Sequence, residues 1–254
     1  MCLALFAWQV YKTCPLLLAA NRDEFHTRPS LPLAPWRDAP QILGGRDLEA
    51  GGSWLACHAD GRFAALTNVR EGVTTPNVRS RGELIANYLQ GNLQPDDFIQ
   101  KIEPESYAGF NLLLGSRHAL FYLSNRNGVR SQRLSPGIYG LSNHRLETPW
   151  PKLLDAKRAF AALSPEPFVP EDFFALLGDR RLAADRDLPQ TGVPLAVERL
   201  LSAIFIVSPD YGTRASTLLY QHPDGQFDMI ERRFGSDGVC LGETQAETGQ
   251  LENR

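Results

Sequence analysis

The chain has 254 residues, with 26 Lys+Arg against 29 Asp+Glu and a formal charge of −3. Hydrophobic residues at 43% and charged residues at 22% match an ordinary globular domain, which excludes a disordered chain and predicts a core that needs no staples. The balanced charge offers no basic face for nucleic acid, and no stretch reaches the ~20 apolar residues of a membrane span.

The first elements in chain order are two short apolar runs, 3–10 and 16–20, which read as a β-hairpin. In the first run Ala4, Phe6 and Trp8 share one face while Leu3, Leu5 and Ala7 share the other, so the strand is expected to be covered on both sides. Residues 27–52 are rich in Pro and Gly and read as a long ordered loop. Further strands are predicted at 53–57, 63–69, 111–115, 119–124, 131–134 and 137–141, and again at 203–207, 216–221 and 226–233. Asp60-Gly61, Asn127-Gly128 and Asp224-Gly225 mark turns between them.

Helices fall between the strand groups. Ser80 and Glu83 form a capping box for a helix to about residue 89. Pro95 followed by Asp96 and Asp97 opens a second helix. Thr148 caps a third, with Trp150, Leu153, Leu154, Phe160 and Ala161 on one face. Pro170 starts a fourth that stops at Gly178, and a short helix is expected at 195–201. Strands in runs with helices grouped between them predict an α+β fold rather than a Rossmann alternation. Residues 179–193 are charged and unpatterned, a candidate lid. A single domain is expected over 1–241, with 242–254 a frayed polar tail.

Four cysteines, Cys2, Cys14, Cys57 and Cys240, contain no CxxC pair and do not make a disulfide scaffold. The apolar start lacks the basic leader and clean cleavage site of a signal peptide, so a reduced, cytoplasmic protein is expected. Five scattered histidines show no metal-ligand spacing. The Gly44-Gly45-Arg46-Asp47 to Gly51-Gly52 stretch lacks the lysine of a phosphate loop. No metal or resident cofactor is therefore expected.

Cys2 stands directly after Met1. Removal of Met1 would leave a free α-amine, with pKa near ~8, beside a thiol near ~8.5, and such an amine can act as base for its own side chain. The plainer alternative is a small buried residue at a strand end. Asn21, Arg22, Asp23 and Glu24 end an apolar strand, and ionisable groups there must be paired or used. Antiparallel pairing brings them beside Cys2, where Asp23 can hold or orient the α-amine. Asn68 and Asn143 can donate to a tetrahedral oxyanion. Arg214 can favour a thiolate.

These positions, with Gly109-Phe110-Asn111, Pro149-Trp150-Pro151-Lys152 and Tyr211-Gly212-Thr213-Arg214-Ala215-Ser216, resemble the NRDE family, the transport-and-Golgi-organisation family, from Met1 to about Phe234. The resemblance implies an N-terminal-nucleophile (Ntn) hydrolase fold, a four-layer αββα sandwich of two mainly antiparallel sheets. It also implies links to Golgi organisation, secretion and haem trafficking. More distantly the chain is similar to the choloylglycine hydrolase and penicillin V acylase group. That likeness implies Cys2 as nucleophile, with Asp23, Asn68, Asn143 and Arg214 as its companions. One position departs: the strand arginine of that group falls on Ala20, while Arg22 abuts Asp23.

The expected activity is cysteine Ntn amidohydrolysis of a small amide or acyl substrate entering between the sheets. The alternative is a non-catalytic carrier of haem or an acyl ligand in the same pocket; Cys14-Pro15, a dipeptide known in haem ligation, adds little to it.

Overall fold

A computed structural model describes residues 3–72, 78–126, 128, 130–163 and 165–251. Cys2 therefore lies outside the described residues. The first sheet runs in the order β10 (Gly137–Leu141), β1 (Leu3–Trp8), β2 (Leu16–Phe25), β11 (Tyr211–Gln221), β12 (Phe227–Phe234) and β13 (Cys240–Glu247). The second runs β3 (Ser30–Trp36), β4 (Ala39–Asp47), β5 (Leu55–His58), β6 (Phe63–Asn68), β7 (Phe110–Gly115), β8 (Leu120–Ser124) and β9 (Arg130–Arg133). Neighbours in both sheets are antiparallel.

The doubly apolar first strand explains the layering. Ala4, Phe6 and Trp8 join Leu16, Leu18, Leu55, Phe63 and Leu113 in a core between the sheets. Leu3, Leu5 and Ala7 pack outward with Leu17 and Ala19 against α3 (Pro151–Ala162) and α4 (Pro170–Leu177). On the far side α1 (Glu83–Gln90) and α2 (Pro95–Ile99) cover Ala64, Leu66, Leu112 and Leu114 of the second sheet. The result is the αββα sandwich. A short helix α5 (Leu195–Leu200) completes the helices, and none among the described residues is long and apolar enough to cross a membrane.

Several expectations require correction. Residues 27–52 form β3 and β4 rather than a loop. Pro32 and Pro35 are tolerated because β3 is an edge strand, where a missing donor costs no ladder bond. Residues 203–207 are an irregular, largely buried segment: the Phe205 amide donates to the Asp179 carbonyl and the Ile206 carbonyl accepts from the Thr213 amide of β11, without a strand ladder.

No capping box forms at Ser80. Glu83 is engaged by Arg79 and by the Tyr107 hydroxyl, and its amide bonds the Ser80 carbonyl. Thr148 does not cap α3: its hydroxyl donates to the Arg145 carbonyl, and Pro151 begins the helix behind Trp150. Leu154 is exposed, so the buried face of α3 is Leu153, Ala156 and Phe160. The predicted tail is ordered in its described part. β13 pairs with β12 along its length, and Leu251 reaches back into the core between the sheets.

Candidate active site

The polar end of β2 divides by strand parity. Asn21 and Asp23 continue the face of Leu17 and Ala19, toward the helices, while Arg22 continues the face of Leu18 and Ala20, between the sheets. Asn21 is fully buried and saturated. Its amide donates to the carbonyls of Leu177 and Ile204, each at 2.8 Å, and its oxygen accepts from Ser216 Oγ at 2.6 Å. Those bonds fix the end of α4 and the 203–207 segment to the strand.

Asp23 is 4% exposed and accepts from Thr213 Oγ1 at 2.6 Å. Thr213 Oγ1 itself accepts from the Ile206 amide at 2.9 Å, so the hydroxyl proton is directed at the carboxylate. Leu3 pairs with Asn21 and Ala4 with Leu141, which brings the start of β1 beside both the polar end of β2 and the Ser142-Asn143 segment.

Arg22 is likewise 4% exposed, with its guanidinium 4.2 Å from the centroid of the Trp54 ring. It makes no hydrogen bond or ion pair among the described residues. Burial lowers its pKa from the usual arginine value, offset in part by the Glu24 carboxylate. Glu24 accepts from the Phe25 amide and sits at the edge of Arg28, which is held by Asp47 at 2.7 Å.

A β-bulge lies opposite these residues. Thr213 pairs with Asp23 and Ala215 with Arg22, leaving Arg214 as the extra residue. Arg214 is then used structurally, its Nη1 donating to the carbonyls of Phe25, His26 and Arg28 at 2.8–3.2 Å. It nevertheless borders the small cavity that Arg22 also lines.

The two asparagines meet where the sheets are stitched together. Asn143 Nδ2 donates to the Asn68 carbonyl at 3.0 Å, the Arg70 amide to the Asn143 carbonyl at 2.7 Å, and Thr67 Oγ1 to the Ser142 carbonyl at 2.8 Å. The Asn68 side chain makes no hydrogen bond among the described residues and opens on a cleft of about 270 Å³. Arg22, Trp54, Ser53 and Arg81 line the same cleft.

Behind Trp54 lies the cavity of about 100 Å³ shared by Arg22 and Arg214. Three polar atoms on its wall, Glu231 Oε2, Trp54 Nε1 and Arg233 Nε, have no partner among the described residues. Burial raises the Glu231 carboxyl above its usual range.

Among the described thiols, burial pushes Cys14 up to about 12 and raises Cys57 further, while Cys240 is exposed. No described cluster of His, Cys, Asp or Glu is suited to a metal ion.

The whole-chain comparison decides the family. Residues 1–236 match the family model for Transport and Golgi organisation 2. The chain belongs to this family. The Transport and Golgi organization protein 2 homolog of Bos taurus is 36% identical over 87% of this chain and 88% of its own, and the Homo sapiens homolog is 35% identical over 94% and 93%. A solved structure, the Caenorhabditis elegans N-acylethanolamine-hydrolyzing acid amidase ortholog, superposes with a TM-score of 0.54 at 10% identity, covering 88% of this chain and 93% of that chain. At that identity the likeness is one of fold, the Ntn-hydrolase sandwich.

In this Transport and Golgi organisation 2 family member the structure brings Arg22, Asn68 and Asn143 to one end of the sandwich, with Asp23 on the opposite face of β2 from Arg22. Thr213, Trp54, Arg81 and Glu231 were not singled out by sequence reasoning. Thr213 lay inside the Tyr211–Ser216 motif. Arg81 was hidden in the expected helix cap. Trp54 and Glu231 carry no signal in a linear reading.

Proposed function

We propose that the protein is a cysteine Ntn amidohydrolase with Cys2, freed of Met1, as nucleophile. The observation that carries this reading is the buried Asp23 carboxylate, aligned by Thr213, on the strand that pairs with the residue following Cys2. A polar side chain is buried there at a desolvation cost that a solvated strand end would avoid.

The Cys2 sulfur attacks the amide carbonyl while its proton passes to the α-amine, which Asp23 orients. Asn68, whose amide is uncommitted, and Asn143 donate to the oxyanion. Collapse breaks the C–N bond, and the amine leaves with the proton from the α-ammonium. Water then attacks the thioester, releasing the acid and restoring the thiol. Arg214 acts through the strand end that it clamps.

The test uses Cys240→Ser protein, so that the exposed thiol is gone while Cys14 and Cys57 stay silent through burial. Intact mass should show loss of Met1 and a single iodoacetamide adduct that disappears in Cys2→Ala. Retained Met1, or an unreactive Cys2, would overturn the reading and favour the carrier.

A further inference from the structure

The cleft beside Asn68 holds four arginines, Arg22, Arg28, Arg79 and Arg81, against two carboxylates, Glu24 and Asp47. The carboxylates are already spent, since Arg28 contacts both of them, and Arg79 is satisfied by Glu83 at 2.6 Å. Two cations remain without a carboxylate within 4 Å among the described residues. Arg81 has one bond, from Nη1 to the Gly109 carbonyl at 3.1 Å, and burial depresses its pKa. Arg22 has none among the described residues, although it is almost fully buried.

Arg22 lines the cleft with neither ion pair nor acceptor among the described residues, and a bound anion there would supply both. Trp54 covers one face of Arg22, so its N–H groups remain available in the guanidinium plane, the geometry that suits a planar bidentate acceptor. The cleft, about 270 Å³, has room for a compact organic acid.

We propose that the substrate carries a carboxylate, remote from its scissile amide, that Arg22 and Arg81 bind in this cleft. This rests on the reading of the cleft as the substrate site beside Cys2. It adds a specificity-determining pair distinct from the groups that act on the amide.

The test compares two probes that differ in charge and little in shape, 3-phenylpropionate and 3-phenylpropionamide. Their binding to Cys2→Ala protein is measured by calorimetry. The carboxylate should bind about tenfold more tightly than the amide, and the preference should vanish in Arg22→Met and in Arg81→Met. Arg81 is half-buried and carries the comparison if Arg22→Met fails to fold.

Equal binding of the two probes, no binding of the carboxylate, or a preference that survives both substitutions overturns the proposal. Displacement of the carboxylate by inorganic phosphate at lower concentration than by acetate also overturns it, in favour of a phosphate site. In protein with Cys2 intact and Cys240→Ser, iodoacetate should label Cys2 faster than iodoacetamide, and Arg22→Met should reverse the order. An arginine-dependent carboxylate preference with an unreactive Cys2 would retain the anion site and discard the hydrolase. A reactive Cys2 without that preference would do the opposite.

Discussion

Glu231 is a buried acid whose protonation burial favours. It is 1% exposed, accepts from the Leu33 amide at 2.8 Å, and faces Arg22 and Arg233 at too great a distance for an ion pair. Burial raises its pKa in the folded chain, so folding favours the protonated form. Well below pH 4.5 both folded and unfolded chains are protonated, and the residue brings no penalty. As pH climbs through that value the unfolded chain ionises freely and the folded chain does not, so stability falls until the folded pKa is passed. Glu231→Gln keeps the acceptor for Leu33 and removes the ionisation. Its melting temperature should match the parent near pH 4 and exceed it at pH 8 by at least ~2 °C, about what 1 kcal/mol yields in a chain this long. An unchanged difference across that range would show that Glu231 does not titrate with folding.

At the scale of the element, Gly44 and Gly45 explain why β4 carries a glycine pair. A Cβ on Gly45 would overlap the Trp54 ring, and one on Gly44 would lie 2.7 Å from the Ala56 Cβ. Trp54 in turn supports Arg22, so the glycines set the floor of the cleft from a strand away. Gly45→Ala should cost about 1–3 kcal/mol in a denaturant titration and weaken the binding of 3-phenylpropionate, since the displaced ring carries Arg22 with it. The sequence displayed this pair but not its reason. A glycine that answers a ring nine residues on looks like loop composition, and the same ambiguity hid β3 and β4. The alternating and doubly apolar strands around the core were legible because their periodicity is local. The helix starts at Pro95 and Pro170 were legible too, because proline fixes the first turn whatever packs beyond it.

On the scale of the whole molecule, the residues after Gly242 close the first sheet. β13 covers the outer edge of β12, and Leu251 fills part of the core between the sheets. A chain ending at Gly242 loses that strand and the ~1.5–3 kcal/mol of a buried leucine, and exposes β12 as an unpaired edge. It should melt several degrees lower and aggregate on concentration, measured by thermal unfolding and light scattering. An unaltered melting temperature would mean that the strand adds nothing. Polar composition concealed this element because β13 is an edge with one solvent-facing side, where Glu243 and Gln245 are at home. Arg22 and Arg81 became comparable only after two distant segments had been folded together, which no spacing rule anticipates.

Asn21 and Asp23 are isosteres of opposite hydrogen-bond polarity, two positions apart on one face of the same strand. Two main-chain oxygens await an N–H at the first, and a threonine hydroxyl delivers its hydrogen at the second. Exchanging the pair preserves composition, volume and formal charge, yet sets a carboxyl against two carbonyls and takes away the acid that Thr213 faces. The order of these two letters, and not their inventory, is what the hydrogen bonds at this strand end require.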